Sequence, residues 1–560
     1  MDDTIASMSL EEKAGQLFLP LGNNPDPEVI KTTLANYHQG GLLWPADDYH
    51  TIYTQCKIYQ ENSKVPLLVA ANGDNGGDGC VSQGTFIATA AEAAAGQDIK
   101  TSYDMGYVAG REAASVGINW MFNPCSDIFM NWRNTIINTR AFGDHAEDVI
   151  KHVRAYIQGV HQSNVACCCK HFPGDGVEER DQHLVLSIND LSTDEWDASF
   201  RKVYQTMIDE GVESIMAGHI ALPEMSRKLR PGIKDTEIMP ATLAPELLTD
   251  LLRGEMHFNG VIITDASQMA GMACMEKRSA AIPKAIASGC DMFLFCNDME
   301  EDFNYMLDGI KNGIITEERL DDALHRILGL KAKLKLYKSE YILPAPEQME
   351  HIIGCEEHLQ LAEEAAKRCI TLVKDTQHNL PINPQTQKRA RLVYIQSTPI
   401  TKAYKGDPVK QIVIEELERA GFEVEAAPNF HDLEAEFGPD PAHLPRVMDS
   451  GRMEEFRKKC DVVFLVLHIQ GYAQENQVRV RWSCSHSSEL PWYATEVPTI
   501  GISLNYTTHL FDVPQVRTFI NAYGCTRTSI RTAIEKICGK GTFTGVPNDT
   551  VFCGKWDTRL

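Results

Sequence analysis

Hydrophobic and polar positions alternate along this chain in two repeating forms. Short apolar runs bounded by Gly, Pro, Asn or Asp predict buried strands at 16–21, 41–44, 66–71, 118–123, 165–170, 214–219, 260–265 and 291–295. Between them lie longer stretches with helical spacing, at 101–115, 146–163, 193–210 and 242–253. A last one at 317–333 is apolar at Leu320, Ala323, Leu324, Ile327 and Leu330. Strict strand–helix alternation predicts a parallel sheet, and eight such units predict a closed barrel. Ser9-Leu10-Glu11-Glu12 fits a capping box that opens the first helix.

The pattern changes after a looser stretch from Tyr341 to Glu347 that contains Pro344 and Pro346. One helix is expected at 348–368, then strands at 370–374, 391–396, 422–426, 462–467 and 499–504, with a helix at 409–420. The expected fold class is therefore α/β: a (β/α)8 TIM-type barrel over 1–338, a linker and bridging helix over 339–374, and a smaller α/β layered domain over 375–560. No Gly-rich phosphate loop follows a strand in the second part, which argues against a nucleotide site there.

Composition sharpens this picture in three ways. With 560 residues and 43% hydrophobic content, the chain is too large for one ordinary core and is not disordered. A net charge of −24, spread along the chain, disfavours nucleic acid and anionic membranes as partners. The N-terminus lacks the basic start and apolar core of a signal peptide, and no run reaches the ~18–20 apolar residues of a membrane span. Sixteen Cys show no zinc-like spacing, and Cys167 to Cys169 lie inside a buried run. The expectation is a reduced, cytoplasmic protein without a metal or other cofactor.

The chemistry gathers at strand ends, where a barrel of this kind keeps its catalytic groups. Strand three ends in Asn72-Gly73-Asp74-Asn75-Gly76-Gly77, and strand four leads through Asn123-Pro124 and Asp127 to a loop bearing Arg140. Strand five ends in Lys170-His171 and breaks at Phe172-Pro173-Gly174, after which a loop carries Asp181-Gln182-His183. Strand six ends at His219 and strand seven at Thr264-Asp265. Any one of these reads equally well as a satisfied rim residue. Together they would be costly to assemble without use. Two reactions fit. In one, Asp265 attacks an anomeric carbon and a proton donor on a loop releases the leaving oxygen. In the other, His171 and His219 ligate a metal of a hydrolase; that scheme needs a His-x-His on strand one, where Phe18-Leu19-Pro20 offers none.

The run KHFPGDG, then Asp181-x-His183, then VIITDASQM, resembles glycoside hydrolase family 3, and within it the bacterial β-N-acetylglucosaminidases. Gly117-Ile118-Asn119-Trp120, Arg140-Ala141-Phe142-Gly143 and Ala287-Ser288-Gly289-Cys290-Asp291 agree, and Thr371-Leu372-Val373-Lys374 with Leu380-Pro381-Ile382 is similar to the two-domain members. The resemblance implies Asp265 as nucleophile, His183 as general acid/base and Asp181 as its orienting partner. Lys170, His171, Arg140, Asn72, Asp74 and His219 would contact the sugar. It implies an amino-sugar glycoside as substrate and carbohydrate metabolism as the setting. The alternatives are a family 3 phosphorylase, a β-glucosidase, or a sugar-binding protein without catalysis. Two positions depart from the family pattern: Asp175 stands where Gly-His-Gly is usual, placing a negative charge beside the loop, and NGDNGG replaces Asp-Gln-Glu-Gly-Gly.

Overall fold

A computed structural model describes residues 1–397, 407–447, 452–471, 473–484 and 487–560. Two compact units are present: Met1–Ile87 with Ile99–Leu359, and Ala88–Asp98 with Gln360–Leu560.

The first unit is the barrel. Ser9 Oγ accepts from the Glu12 amide while Glu12 Oε2 accepts from the Ser9 amide, and helix Leu10–Gly15 starts from that box. The eight strands are Phe18–Leu19, Gly41–Leu43, Leu68–Ala71, Trp120–Met121, Ala166–Phe172, Ser214–Ala217, Val261–Thr264 and Phe293–Leu294. Strands two to seven form one parallel sheet. The ring closes because strand one pairs with strand eight, while the parallel bridges Leu21–Leu43 and Ile263–Met292 join the remaining edges. Several ladders are shorter than their apolar runs. At strand four a side chain replaces the backbone: Asn119 Oδ1 accepts from the Val69 amide at 2.9 Å and its Nδ2 donates to the Leu67 carbonyl.

Three helical runs break where local chemistry interrupts them. Expected helix 193–210 becomes Thr193–Ala198 and Phe200–Asp209, with Ser199 between them donating its hydroxyl to the Glu195 carbonyl. Pro245 lacks an amide, so the 242–253 stretch resolves into a 3₁₀ turn at Ala241–Leu243 and a π-helix at Glu246–Glu255. The 348–368 run splits into Glu347–Ile352 and Glu356–Cys369 at Gly354, whose φ of 63° ends the first piece.

Below the sheet, buried Asp291 holds the start of strand eight. It accepts from Arg253 at 2.6 Å, from Arg319, and from the Ile262 amide at 2.8 Å. Asp291→Ala strands these cations in a dry setting. We expect a loss of about 3–5 kcal/mol, seen as a lower denaturant midpoint for the barrel signal.

The second unit carries a six-stranded sheet in the order Thr371–Asp375, Thr518–Asn521, Thr499–Ser503, Val462–His468, Arg389–Gln396, Glu423–Ala426. Only the first pair is antiparallel. Strand Thr518–Asn521 is not among the strands expected from the sequence; at four residues it is too short to show a period. Apolar clusters cover both faces, one around Leu392, Phe464 and Ile520, the other around Val393, Leu465 and Phe519. Segment Ala88–Asp98 leaves the barrel chain after strand three and belongs with this unit, where the Ala95 carbonyl accepts from the Val546 amide at 2.9 Å. No helix among the described residues is long and apolar enough to cross a membrane.

Candidate active site

Strand five supplies the centre of the site. Cys167, Cys168 and Cys169 are wholly buried, and burial pushes the Cys168 thiol up to about 12, so they serve as core. The register against strand six shifts between Cys169 and Phe172, which re-aims Lys170 and His171. Lys170 Nζ donates to Asn72 Oδ1 at 3.0 Å. His171 Nδ1 donates to Asp127 Oδ2 at 2.8 Å, and its backbone amide donates to Asp127 Oδ1. That bond leaves Nε2 facing Asp265 Oδ2, 3.9 Å away.

Asp265 follows strand seven, its amide donating to the Ala217 carbonyl and its Oδ1 accepting from the Ala266 amide at 2.7 Å. Burial alone would raise its carboxyl. The imidazoles of His171, His219 and His183 outweigh this and hold it below the usual carboxylate value. His219 is fully buried and both its ring nitrogens are engaged: Nε2 donates to the Ala266 carbonyl at 2.9 Å, and Nδ1 meets Thr242 Oγ1 at 2.8 Å. Burial lowers it toward the neutral form. It supports the Asp265 turn from behind and keeps no ring nitrogen for a sugar hydroxyl, unlike the direct contact expected from the sequence.

The loop after strand five brings the third group. Asp181 Oδ1 accepts from His183 Nδ1 at 2.6 Å and from the His183 amide at 2.8 Å, an arrangement the two-residue spacing makes local. Burial pulls His183 down, but Asp181 more than reverses this and leaves its pKa above the ordinary value. Asp181 has no exposed side-chain surface, whereas His183 keeps 24%. The loop is anchored at Gly176, whose φ of 103° suits only glycine and where an added Cβ would lie 2.1 Å from the Ile128 carbonyl oxygen. Trp196 Nε1 donates to the Pro173 carbonyl and fixes the turn before it.

A second group of charges lines the strand-three side. Asp74 Oδ1 accepts from Asn123 Nδ2 at 2.9 Å and from Arg140 Nε at 3.3 Å. Burial opposes its ionisation, but Lys170 and Arg140 hold the carboxyl far below the usual range. Phe129, Ile137 and Ala141 pack together and anchor the loop that delivers Arg140.

Asp175 does not stand beside the loop as an open charge. It is 2% exposed, accepts from Asn134 Nδ2 at 2.8 Å and from the Gly176 amide, and burial together with Asp127 pushes it up to about 7. The sequence reading also gave no role to Asp127 and Gln182. Asp127 orients His171 and caps the Asp175 amide, while Gln182 Oε1 accepts from the His219 amide. Their sequence signal is a lone polar residue at a strand end or inside a motif. Cys125, Asp127 and His171 bring potential ligand atoms within 4.8 Å of one another, with His171 Nδ1 donating to Asp127 Oδ2.

The site thus joins an ionised, buried carboxylate to an imidazole of raised basicity and to a cluster of donors and acceptors suited to hydroxyl groups. Comparison with known proteins gives this arrangement a family. Residues 9–330 match the glycosyl hydrolase family 3 N-terminal domain. The chain is 38% identical over 563 residues to a β-N-acetylglucosaminidase/β-glucosidase of Cellulomonas fimi, covering 100% of this chain and 96% of that one. It also resembles a β-hexosaminidase of Chromobacterium violaceum, 32% identical over 37% of this chain and 54% of that protein. Among solved structures it is similar to the β-glucoside phosphorylase BglX, with a TM-score of 0.90 and 35% identity over 100% of this chain and 96% of that one; a second BglX structure is bound to 2FGlc. The chain belongs to glycosyl hydrolase family 3, and its substrates are carbohydrates.

Proposed function

We propose that this protein is a retaining glycosidase that releases terminal β-linked N-acetylglucosamine. The observation that carries the reading is a buried carboxylate, Asp265, kept ionised by the imidazoles around it, one of which, His183, is itself made more basic by Asp181. In this scheme Asp265 Oδ2 attacks the anomeric carbon as the C–O bond breaks, and His183 Nε2 gives its proton to the departing oxygen. A glycosyl ester on Asp265 remains. His183, now neutral, takes a proton from water as the water oxygen attacks from the opposite face. Two inversions give net retention. Asn72, Asp74, Arg140 and Lys170 would hold sugar hydroxyls. The name of the Cellulomonas fimi relative supports the amino-sugar substrate and equally admits a β-glucoside.

Two observations favour a second reading, in which phosphate replaces water. A full-length relative is a β-glucoside phosphorylase, and Asp175, pushed up to about 7, repels an incoming anion less than an open carboxylate would. The test is product analysis by mass spectrometry with 4-nitrophenyl N-acetyl-β-glucosaminide and β-glucoside, with and without phosphate. Free N-acetylglucosamine as the main product supports the first reading. Sugar 1-phosphate as the main product replaces it with the second, and no turnover of either substrate removes both.

The shifts also set a pH profile. Activity needs Asp265 ionised and His183 protonated, so the acid limb of kcat/KM lies below the usual carboxylate pKa and the alkaline limb above 6.5, the ordinary histidine value. Asp181→Asn removes the cause that raises His183, and the alkaline limb should move to lower pH together with a fall in kcat. An unmoved limb would separate Asp181 from proton transfer.

A further inference from the structure

The second unit has its own candidate site. Numbered along the chain, its five parallel strands are Arg389–Gln396, Glu423–Ala426, Val462–His468, Thr499–Ser503 and Thr518–Asn521, and they lie side by side in the order 2-1-3-4-5. In an open parallel sheet of this order, the chain reverses direction across the sheet between strands one and three. The carboxyl ends of those two strands are where such sheets receive ligands.

In this chain those ends are Gln396 and His468. They are register partners on adjacent strands, so their side chains rise on the same face. Gln396 is 6% exposed, and neither its Nε2 nor its Oε1 has a hydrogen-bond partner among the described residues. His468 Nδ1 donates to Asp407 Oδ2 at 2.5 Å, and its buried Nε2, with Cys525 beside it, makes no regular hydrogen bond among the described residues. Asp407 itself is fully used: Tyr394 Oη donates to the same oxygen, and Oδ1 accepts from the Val409 amide to cap helix Pro408–Ala420. Half-buried Cys525 lies beside them, accepting from Gln470 Nε2 at 3.8 Å. Against the pull of burial, Asp407 and the neighbouring Cys525 raise His468 to about 9.

Buried polar groups are almost always paired, and here an amide and an imidazole are left open side by side. Their chemistry selects the occupant. An anion only accepts, so it leaves Gln396 Oε1 unsatisfied; a cation leaves His468 Nε2 and Gln396 Nε2 unsatisfied. A hydroxyl both donates and accepts, and adjacent hydroxyls on a ring match an amide that offers one of each. We propose that the carboxyl edge between strands Arg389–Gln396 and Val462–His468 binds a neutral monosaccharide through Gln396 and His468, with Cys525 at its border.

Cys525 provides a local readout in the intact protein. N-acetylglucosamine or glucose should slow alkylation of the Cys525 peptide at least threefold in a saturable way, while exposed Cys274 reacts unchanged. Gln396→Leu should abolish the protection and leave kcat/KM for an aryl glycoside within twofold of the parent. Crystals of the full chain grown with either sugar should show its ring at Gln396 and His468, and this readout decides if Cys525 alkylates too slowly to follow. Unprotected Cys525 at saturating sugar overturns the inference. So does density for ordered water alone, or sugar seen at crystal concentration only, with no protection in solution.

Discussion

Asp265→Asn lowers kcat by on the order of 10⁴-fold or more while the protein folds and binds as before. The amide has the shape of the carboxylate and keeps the contact with the Ala266 amide through its oxygen. It cannot form the glycosyl ester, because its lone pairs are not those of an ionised carboxylate. A further effect follows from the electrostatics. The negative charge of Asp265 supports the protonated form of His183, and its removal lowers that support, so the two losses act in the same direction. The checks are single-turnover kinetics and a circular dichroism spectrum and thermal midpoint like those of the parent, together with peptide mapping of the parent protein after treatment with a 2-fluoro glycoside. The label should sit on Asp265. A label on any other residue, or an Asn variant with near-parental turnover, would remove Asp265 from the nucleophile role.

His183→Ala separates substrates by their leaving groups. A proton delivered to the departing oxygen contributes ~10²–10⁴-fold when that oxygen is a poor anion, and little when the anion is already stable. Alkyl glycosides should therefore lose the full factor, whereas a dinitrophenyl glycoside should form the covalent intermediate nearly as fast as before. Release of the sugar then becomes limiting, since no base remains to deprotonate water. Azide needs no deprotonation, and it should restore turnover of the activated substrate as a glycosyl azide product. Identical losses across all leaving groups would show that His183 acts on folding or binding and not on proton transfer.

Much of this molecule is legible in its sequence because the interactions concerned are local. Each barrel strand is a short apolar run between turn residues, and all eight are present in the barrel. The Asp181–His183 pair lies two residues apart, so the loop can place carboxylate and imidazole together with little help from elsewhere. The Ser9–Glu12 box depends on one turn of helix and forms as its residues predict. Family motifs concentrate at these places, and they pointed to the same face of the barrel.

What the sequence leaves open are the contacts made across long separations, and these decide what each polar strand end does. Asp127 reaches His171 from 44 residues away, and Arg140 reaches Asp74 across 66. Without the barrel nothing distinguishes these residues from solvated loop positions. His219 looks like a sugar ligand along the chain, but the fold turns both its nitrogens inward to Thr242 and Ala266. Asp175 reads as a charge, and only its burial against Asp127 brings it near neutrality. In the second unit, the significance of Gln396 and His468 comes from strand order, which no stretch of sequence encodes by itself. Local spacing therefore determined the elements and the Asp181–His183 pair of this protein. Burial and the convergence of distant strand ends, which set the dielectric and the hydrogen-bond partners, decided which carboxyl groups ionise and which imidazoles remain open.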